Sequence, residues 1–398
     1  MINIRIENQE YLNENGTLNQ DKALTFVGHI AGICYAEEGY DSVLEEDIEK
    51  TLKRANDTIG RGHHSVVGHL PVNLYIKGQS KLMSMILNNE KEYNTSERSL
   101  RYTSVKASND SIISEREVYL YNKWVDILKI EIVKKYPNQF KNFKIRTLAQ
   151  ENARKMVTVF MPTEMIYTTN LRQLNYIASW MLKYIKQNEI NPGTYLDSTL
   201  AAEMKEFLAE LERLNLLIPG LMINEKCRGL SLFGTNLSAR QEYYGDIYLT
   251  KYKAPFDEVA QAHRHRTINY QIEIPSVSEY AIPEIIKDNE GLVEEWIKDI
   301  SSLNEIIPIG TMVDVVEWGD FDGFILKCKE RLCSCAQLDV MKTTRNTLMN
   351  YKNALEEMNH PLALEIEKYS KGARCTFPDY TCSNDCKFKE GKILTRKI

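Results

Sequence analysis

The residues with the most chemistry to offer are His263, Arg264, His265 and Arg266, which close the run from Pro255 to Arg266. Arginine keeps its proton at working pH and presents a planar fork of donors. Two arginines bracketing a histidine therefore make a fixed clamp for an anion or a carbonyl. Phe256, Val259, Ala260 and His263 recur at helical spacing, which predicts that the tetrad ends a short helix, where the helix dipole mildly favours cations. A solvated basic helix end satisfies the same pattern, and the two readings separate only on what the rest of the chain supplies. Gly60 to His69 is a second candidate. Its glycines let backbone approach a ligand closely, and His63, His64 and Ser65 read as ligand hydrogen-bonders rather than metal ligands, because no acidic or cysteine partner is near in sequence. Tyr93 to Tyr102 is dense in hydroxyls and guanidiniums, and as a segment it also reads as a self-capped polar loop. Cys333, Cys335, Cys375, Cys382 and Cys386 crowd the last quarter. They suit a structural zinc site or free thiols, and their spacing follows no standard zinc-ribbon pattern.

These segments need a scaffold. At 398 residues the chain is long enough for two ordinary domains. A net charge of −5 argues against a broad nucleic-acid surface and leaves room for a local basic pocket. The amino terminus has no apolar signal-like core and no uncharged run approaches membrane-spanning length, so a cytoplasmic protein with reduced thiols is expected, without membrane or nucleic-acid partners. Residues 20–57 read as helical, with Cys34 as a small buried thiol. Leu70 to Ile76 alternates as a strand, and Ser80 to Asn88 reads as a helix. Residues 114–137 form an expected amphipathic helix carrying Tyr119, Trp124, Ile127 and Ile130. Leu148 to Phe160, with Arg154, and Thr169 to Met181 close the first half in helices, and Asn191-Pro192-Gly193 marks a turn.

The second half repeats this order. Gly229 to Thr235 resembles His63 to His69, Gly245 to Thr250 repeats the strand at Val72 to Ile76, and the helix leading into Arg264 stands where Asn89-Glu90-Lys91 stands in the first half. A repeat this long is a duplicated domain rather than a solenoid. The expected organisation is residues 1–192 and 193–398, the latter with a cysteine-rich tail.

At Arg264-His265-Arg266 the sequence resembles the flavin-dependent thymidylate synthases, which are built around an Arg-His-Arg triplet followed by a Ser-x-Arg-Tyr segment. His63 to His69 is similar to the family's flavin loop, Arg331 to Gln337 to its Arg-x4-Ala-Gln segment, and Ala31 to Tyr35 to its amino-terminal signature. The resemblance implies a mixed α/β (α+β) fold with short sheets and long helices. It also implies conversion of dUMP to dTMP, with methylenetetrahydrofolate as carbon donor and NADPH-reduced FAD as hydride source. His63, Ser65, Asn170, Arg172, Arg264, His265 and Arg266 are implied to hold FAD. A related one-carbon transfer to another pyrimidine nucleotide, or a nucleotide- or metal-binding relative without turnover, stays open beside this reading.

The two halves depart from the family pattern in complementary ways. The first keeps Glu97, Ser99, Arg101 and Tyr102 but has Asn89-Glu90-Lys91 in place of the triplet; it keeps the phosphate arginine as Arg154 but has Met181 in place of the uracil-facing arginine. The second keeps Gln261, the triplet and the uracil-facing Arg331, but has Asn304 for the phosphate arginine and Asp320 and Asp322 in the flavin loop. In the family one subunit supplies each set. The resemblance therefore implies one composite site, with Gln261, Arg264 and Arg331 meeting Glu97, Ser99, Arg101 and Arg154 around dUMP, and a lost reciprocal site. Arg331, Arg264 and Ser99 are the implied catalytic positions. Two such chains would reproduce the family's tetramer.

Overall fold

The computed structural model describes all residues except 8–9, 102–104, 106–111, 223–231, 379, 383–385 and 389–393. Tyr102 and the Gly229–Ser231 part of the second-half loop lie outside the described residues. The chain divides into two compact units, Met1–Arg98 with Pro162–Ser231, and Ser99–Met161 with Leu232–Ile398. These units do not coincide with the sequence halves: residues 99–161, which belong to the first half by sequence, are part of the second unit.

The first unit holds an antiparallel four-stranded sheet in the order β1-β2-β4-β3, from β1 (Asn3–Glu7), β2 (Pro71–Ser80), β3 (Asn94–Glu97) and β4 (Pro162–Asn170). Helices α1 (Gln20–Gly32), α2 (Tyr40–Leu44) and α3 (Ile48–Gly60) precede β2, and α4 (Lys81–Leu87) follows it directly. In β2, Val72, Leu74 and Ile76 alternate inward as expected for a one-sided sheet. The strand ends at Ser80, whose Oγ accepts from Met83 N at 2.9 Å to cap α4. Ser80 is itself held by Glu203, which receives both its N–H and its hydroxyl. Burial pushes the Glu203 carboxyl up to about 7. Helices α7 (Leu171–Ile190), α8 (Tyr195–Arg213) and α9 (Pro219–Met222) complete the unit, with α7 and α8 joined through Asn191-Pro192-Gly193.

The second unit repeats that sheet. Strands β5 (Tyr243–Tyr244), β6 (Ile247–Pro255), β7 (Asn269–Glu273) and β8 (Met312–Asp320) pair antiparallel in the order β5-β6-β8-β7. Again the second strand of the order runs straight into a short helix, α10 (Phe256–Ala262). The last strand of each half ends on a capping residue: Asn170 accepts from Gln173 N at 2.9 Å to start α7, and Asp320 accepts from Gly323 N at 2.6 Å to start α12 (Phe321–Arg331). Helices α11 (Glu290–Ser301), α13 (Leu338–Glu357) and α14 (Leu362–Glu367) belong to the same unit, as do α5 (Glu115–Lys135) and α6 (Asn142–Ala153). A capping box between Ser114 and Glu117 starts α5. Its Trp124 packs edge-on against Trp296 of α11 with ring centroids 4.7 Å apart and donates from Nε1 to Asp299 at 2.9 Å.

Several expectations change. The stripe read for α5 is rotated: Trp124 is buried with Leu120, Tyr121, Val125, Leu128 and Ile132, whereas Tyr119 and Ile130 are exposed. Cys34 is exposed, because α1 stops at Gly32 and a short 3-10 turn carries the next apolar residues out of the core. Thr169 and Asn170 close strand β4 instead of opening the helix, and that strand alternates Thr163, Met165, Tyr167 and Thr169 inward. Among the described residues no helix is long and apolar enough to cross a membrane.

Candidate functional site

The tetrad lies just beyond α10 rather than within it. His263 is the C-cap, and Arg264, His265 and Arg266 form the turn that enters β7. His263 Nδ1 bonds the Val259 carbonyl, and burial pushes its pKa down to about 3. His265 has a more specific task. The Nε–H of Arg331, at the end of α12, donates to His265 Nε2 at 2.6 Å. Because arginine only donates, that imidazole nitrogen carries its lone pair and the ring is neutral. Burial, reinforced by the charges of Arg331 and Lys327, pushes the His265 pKa down to about 2. Arg331 is further held by an Nη2 bond to the Gln261 carbonyl at 3.3 Å. The pKa of Arg331 is lowered first by burial, and the charges of Arg101 and Arg264 push it the same way. The guanidiniums of Arg101 and Arg264 thus both lie within electrostatic reach of Arg331, an arrangement stabilised by an anionic ligand.

Residues of the first sequence half join them. Arg101 pairs with Glu151 at 3.4 Å, and its backbone N–H donates to Ser99 Oγ at 3.3 Å. Arg154 donates from Nη2 to Asp257 Oδ2 at 3.2 Å and to Gln337 Oε1 at 2.8 Å, while its buried Nε has no hydrogen-bond partner. An orphan guanidinium donor at a buried position suits an acceptor from outside the protein. Lys155 is fully buried and binds Asp257 (2.9 Å to each oxygen) and Asp339 (2.7 Å); those two carboxylates hold its pKa above the usual lysine value against the opposing effect of burial. Ser99, Arg101 and Arg154 therefore share the second unit with Gln261, Arg264, Arg266 and Arg331. Glu97 belongs to the first unit, where it pairs with Lys81.

The residues implied for FAD outside the triplet, His63, Ser65, Asn170 and Arg172, are all in the first unit. His63 and Ser65 are exposed on a 3-10 turn, and a Cβ on Gly68 would sit 3.5 Å from the Arg172 guanidinium carbon. Arg172 Nε is buried without a hydrogen-bond partner, so this cradle fits an anionic group. His64 does not fit the ligand role expected for it. It is 4% exposed, and its nitrogens are engaged by Tyr176 Oη at 2.9 Å and the Ile59 carbonyl at 3.1 Å.

The five cysteines are not gathered as a metal centre: among the described residues no group of three or more histidine, cysteine or acidic side chains is placed to hold an ion. Cys335 N–H donates to Cys333 Sγ at 3.5 Å, and Cys386 Sγ lies 3.8 Å from the Phe388 carbonyl. On the side read as lost, Asn304 is exposed. Sequence reasoning quoted Gln337 only as part of a motif and passed over Asp257, Lys155 and Asp339. The signal available was Lys155 beside Arg154, a second cation that needs buried partners.

Residues 18–200 match the family model described as thymidylate synthase complementing protein. A flavin-dependent thymidylate synthase of Pyrococcus furiosus is 26% identical over 201 residues, covering 48% of this chain and 75% of that protein. Among solved structures, thymidylate synthase X of Helicobacter pylori, with FAD and dUMP, aligns over 56% of this chain and all of that one at 16% identity and a TM-score of 0.31. A UMP/dUMP methylase, PolB, of Streptomyces cacaoi bound with 5-Br dUMP aligns over 45% of this chain and 77% of that one, at 15% identity and a TM-score of 0.30.

Proposed function

We propose, from the match of residues 18–200 to the family model described as thymidylate synthase complementing protein, that the chain is a flavin-dependent thymidylate synthase that methylates dUMP in its second unit. The observation that carries this reading is the gathering of Arg101, Arg264 and Arg331, with Arg154 nearby, from two sequence halves into one compact unit. A nucleoside monophosphate supplies both things this cluster calls for, a dianion and a planar ring edged with carbonyls. Arg101 and Arg154 take the phosphate through charge-assisted bonds, with Ser99 adding a hydroxyl. Arg331, braced by His265, faces the uracil carbonyl and N3 edge and stabilises negative charge as C5 becomes nucleophilic. Gln261 and Arg264 complete the nucleotide contacts.

FAD, for which Arg264, His265 and Arg266 are the contacts proposed in the second unit, would supply the reducing equivalents that complete the methyl group, with methylenetetrahydrofolate as carbon source and NADPH as reductant. The protein's own contribution is orientation and charge. The reciprocal set, with Asn304, Asp320 and Asp322, is inactive, and the chain works as a dimer.

The test is direct. Purified protein should be yellow, or become so with FAD, and should bleach with NADPH. With labelled dUMP and methylenetetrahydrofolate it should form dTMP. A protein that cannot be loaded with FAD, or that methylates UMP and leaves dUMP untouched, would overturn the proposal.

A further inference from the structure

We infer that Gln337 is a positioning residue of the nucleotide site, coupling the phosphate-binding Arg154 to Gln261 through one buried amide. The inference rests on the function proposed above and deepens it. Gln337 is 2% exposed and occupies the N-cap position of α13 without a side-chain capping bond, at the end of the loop that leaves Arg331. Its side-chain carbonyl accepts from Arg154 Nη2 at 2.8 Å. Its amide nitrogen donates to Asp257 Oδ2 at 2.7 Å and to Asp339 Oδ2 at 3.2 Å. Its backbone N–H donates to Gln261 Oε1 at 3.1 Å.

The orientation of this amide is forced by its partners. A guanidinium only donates and a carboxylate only accepts, so the oxygen must face Arg154 and the nitrogen must face the two aspartates. The same logic orients Gln261. Its carbonyl is taken by the Gln337 main chain, so its NH2 is the end that can donate to a uracil carbonyl. Charge explains why the hub is an amide. Arg154 and Lys155 already balance Asp257 and Asp339 in this buried cluster. A neutral residue that both donates and accepts closes the network without adding a charge, whereas a glutamate would put a third carboxylate against two others. With Nη2 committed to Gln337 and Asp257, the guanidinium plane of Arg154 is fixed, and its buried Nε remains as a donor for the phosphate. Gln337 thus sets the position of the phosphate ligand with its side chain and of the ring ligand with its backbone.

That division gives a phosphate-selective prediction. Gln337→Met keeps the volume and the backbone N–H but removes all three side-chain bonds. In the full FAD-loaded chain, calorimetric titration should show dUMP binding weakened about ten- to a hundredfold, the range for losing a bond to a charged group. Binding of deoxyuridine, which lacks the phosphate, should change less than about threefold. In an Arg154→Met background, adding Gln337→Met should cost less than about twofold more, because the group it positions is gone. Gln337→Asn, which keeps the amide but falls short of Arg154, should behave as Gln337→Met does. Equal losses for dUMP and deoxyuridine, losses that multiply in the double variant, or an unchanged dUMP affinity would each overturn the inference. So would failure of both variants to fold, which would make Gln337 a structural residue. If wild-type protein binds dUMP while Gln337→Met is indistinguishable from it, only the role of Gln337 fails; if wild-type protein binds no dUMP, the proposed function fails with it.

Discussion

His265→Gln isolates the interaction that braces Arg331. In the folded chain the His265 pKa lies near 2 against an ordinary value of 6.5. The folded state therefore keeps the ring neutral where the unfolded chain would protonate it. A depressed folded pKa contributes stability that is fully present above pH 6.5 and is lost as the pH falls toward 2. The loss approaches about 1.4 kcal/mol per pH unit below the unfolded pKa and comes to about 2.3 kcal/mol between pH 6.5 and 4.5. That figure is insensitive to the exact folded value, because both pH points lie well above it. Glutamine offers a carbonyl to Arg331 Nε and does not titrate, so it should remove this slope and keep the brace. The measurement is urea unfolding at pH 6.5 and 4.5 for both proteins, followed by tryptophan fluorescence, since Trp124 and Trp296 are in the same unit as His265. The wild-type-minus-variant difference should shift by about 2.3 kcal/mol between the two pH values, in the direction that favours the variant in acid. His265→Phe, which fills the space without an acceptor, should lower kcat/KM by about thirtyfold, the equivalent of about 2 kcal/mol for a charged donor left unpaired. A difference that stays constant with pH, or a phenylalanine variant of normal activity, would refute the argument that His265 Nε2 is a permanent acceptor.

Two further outcomes follow from the same geometry. Arg101→Ala and Arg331→Ala should each weaken dUMP binding or turnover more than about a hundredfold, consistent with losing charge-assisted bonds, although the two residues come from different sequence halves. Asn304→Ala and Asp322→Ala should leave both within about twofold, and comparable damage from Asn304→Ala would mean that the reciprocal site is in use. Glu203 works with the opposite sign. Its folded pKa, raised to about 7 by burial, gives stability that is complete below pH 4.5 and is lost as the pH rises through 7, about 3 kcal/mol by pH 8. Glu203→Gln should therefore gain on the wild type in thermal melts at pH 8 relative to pH 5, and a pH-independent difference would sink this account.

Much of the site was legible because arginine and histidine patterns survive in the sequence without reference to packing. Strand β2 was legible from its alternation and helix α4 from the run Ser80 to Asn88, while the cap at Ser80 emerged from the structure. Other features depended on partners distant in sequence. Strand β4 was hidden because Thr163, Met165, Tyr167 and Thr169 mix polar with apolar inward positions, which blurs the period-two signal. The rotated face of α5 was set by Trp296 and Asp299, more than 170 residues away, and periodicity alone weighed Tyr119 and Ile130 equally with Trp124. Charge patterning alone would let the imidazole of the Arg264-His265-Arg266 triplet be a cation; only Arg331 at 2.6 Å from His265 shows that it must be neutral. Gln337 carries no charge and no periodicity signal, so its importance appears only from the four bonds it makes.

The excursion of residues 99–161 into the second unit has a consequence for how the chain is made. Translation delivers α5 and α6 before any of α10, α11 or α13 exists. The Trp124 face must therefore wait, uncovered, until Trp296 leaves the ribosome, and Lys155 must wait for Asp257 and Asp339. Meanwhile the first sheet can close as soon as β4 has emerged, because all four of its strands precede Leu171. Synthesis thus produces a sheet that is finished early and a helical pair held in reserve. Severing the gene between the sequence halves would leave the first fragment with that pair permanently exposed, so the two pieces should be recovered in usable form only when they are expressed together.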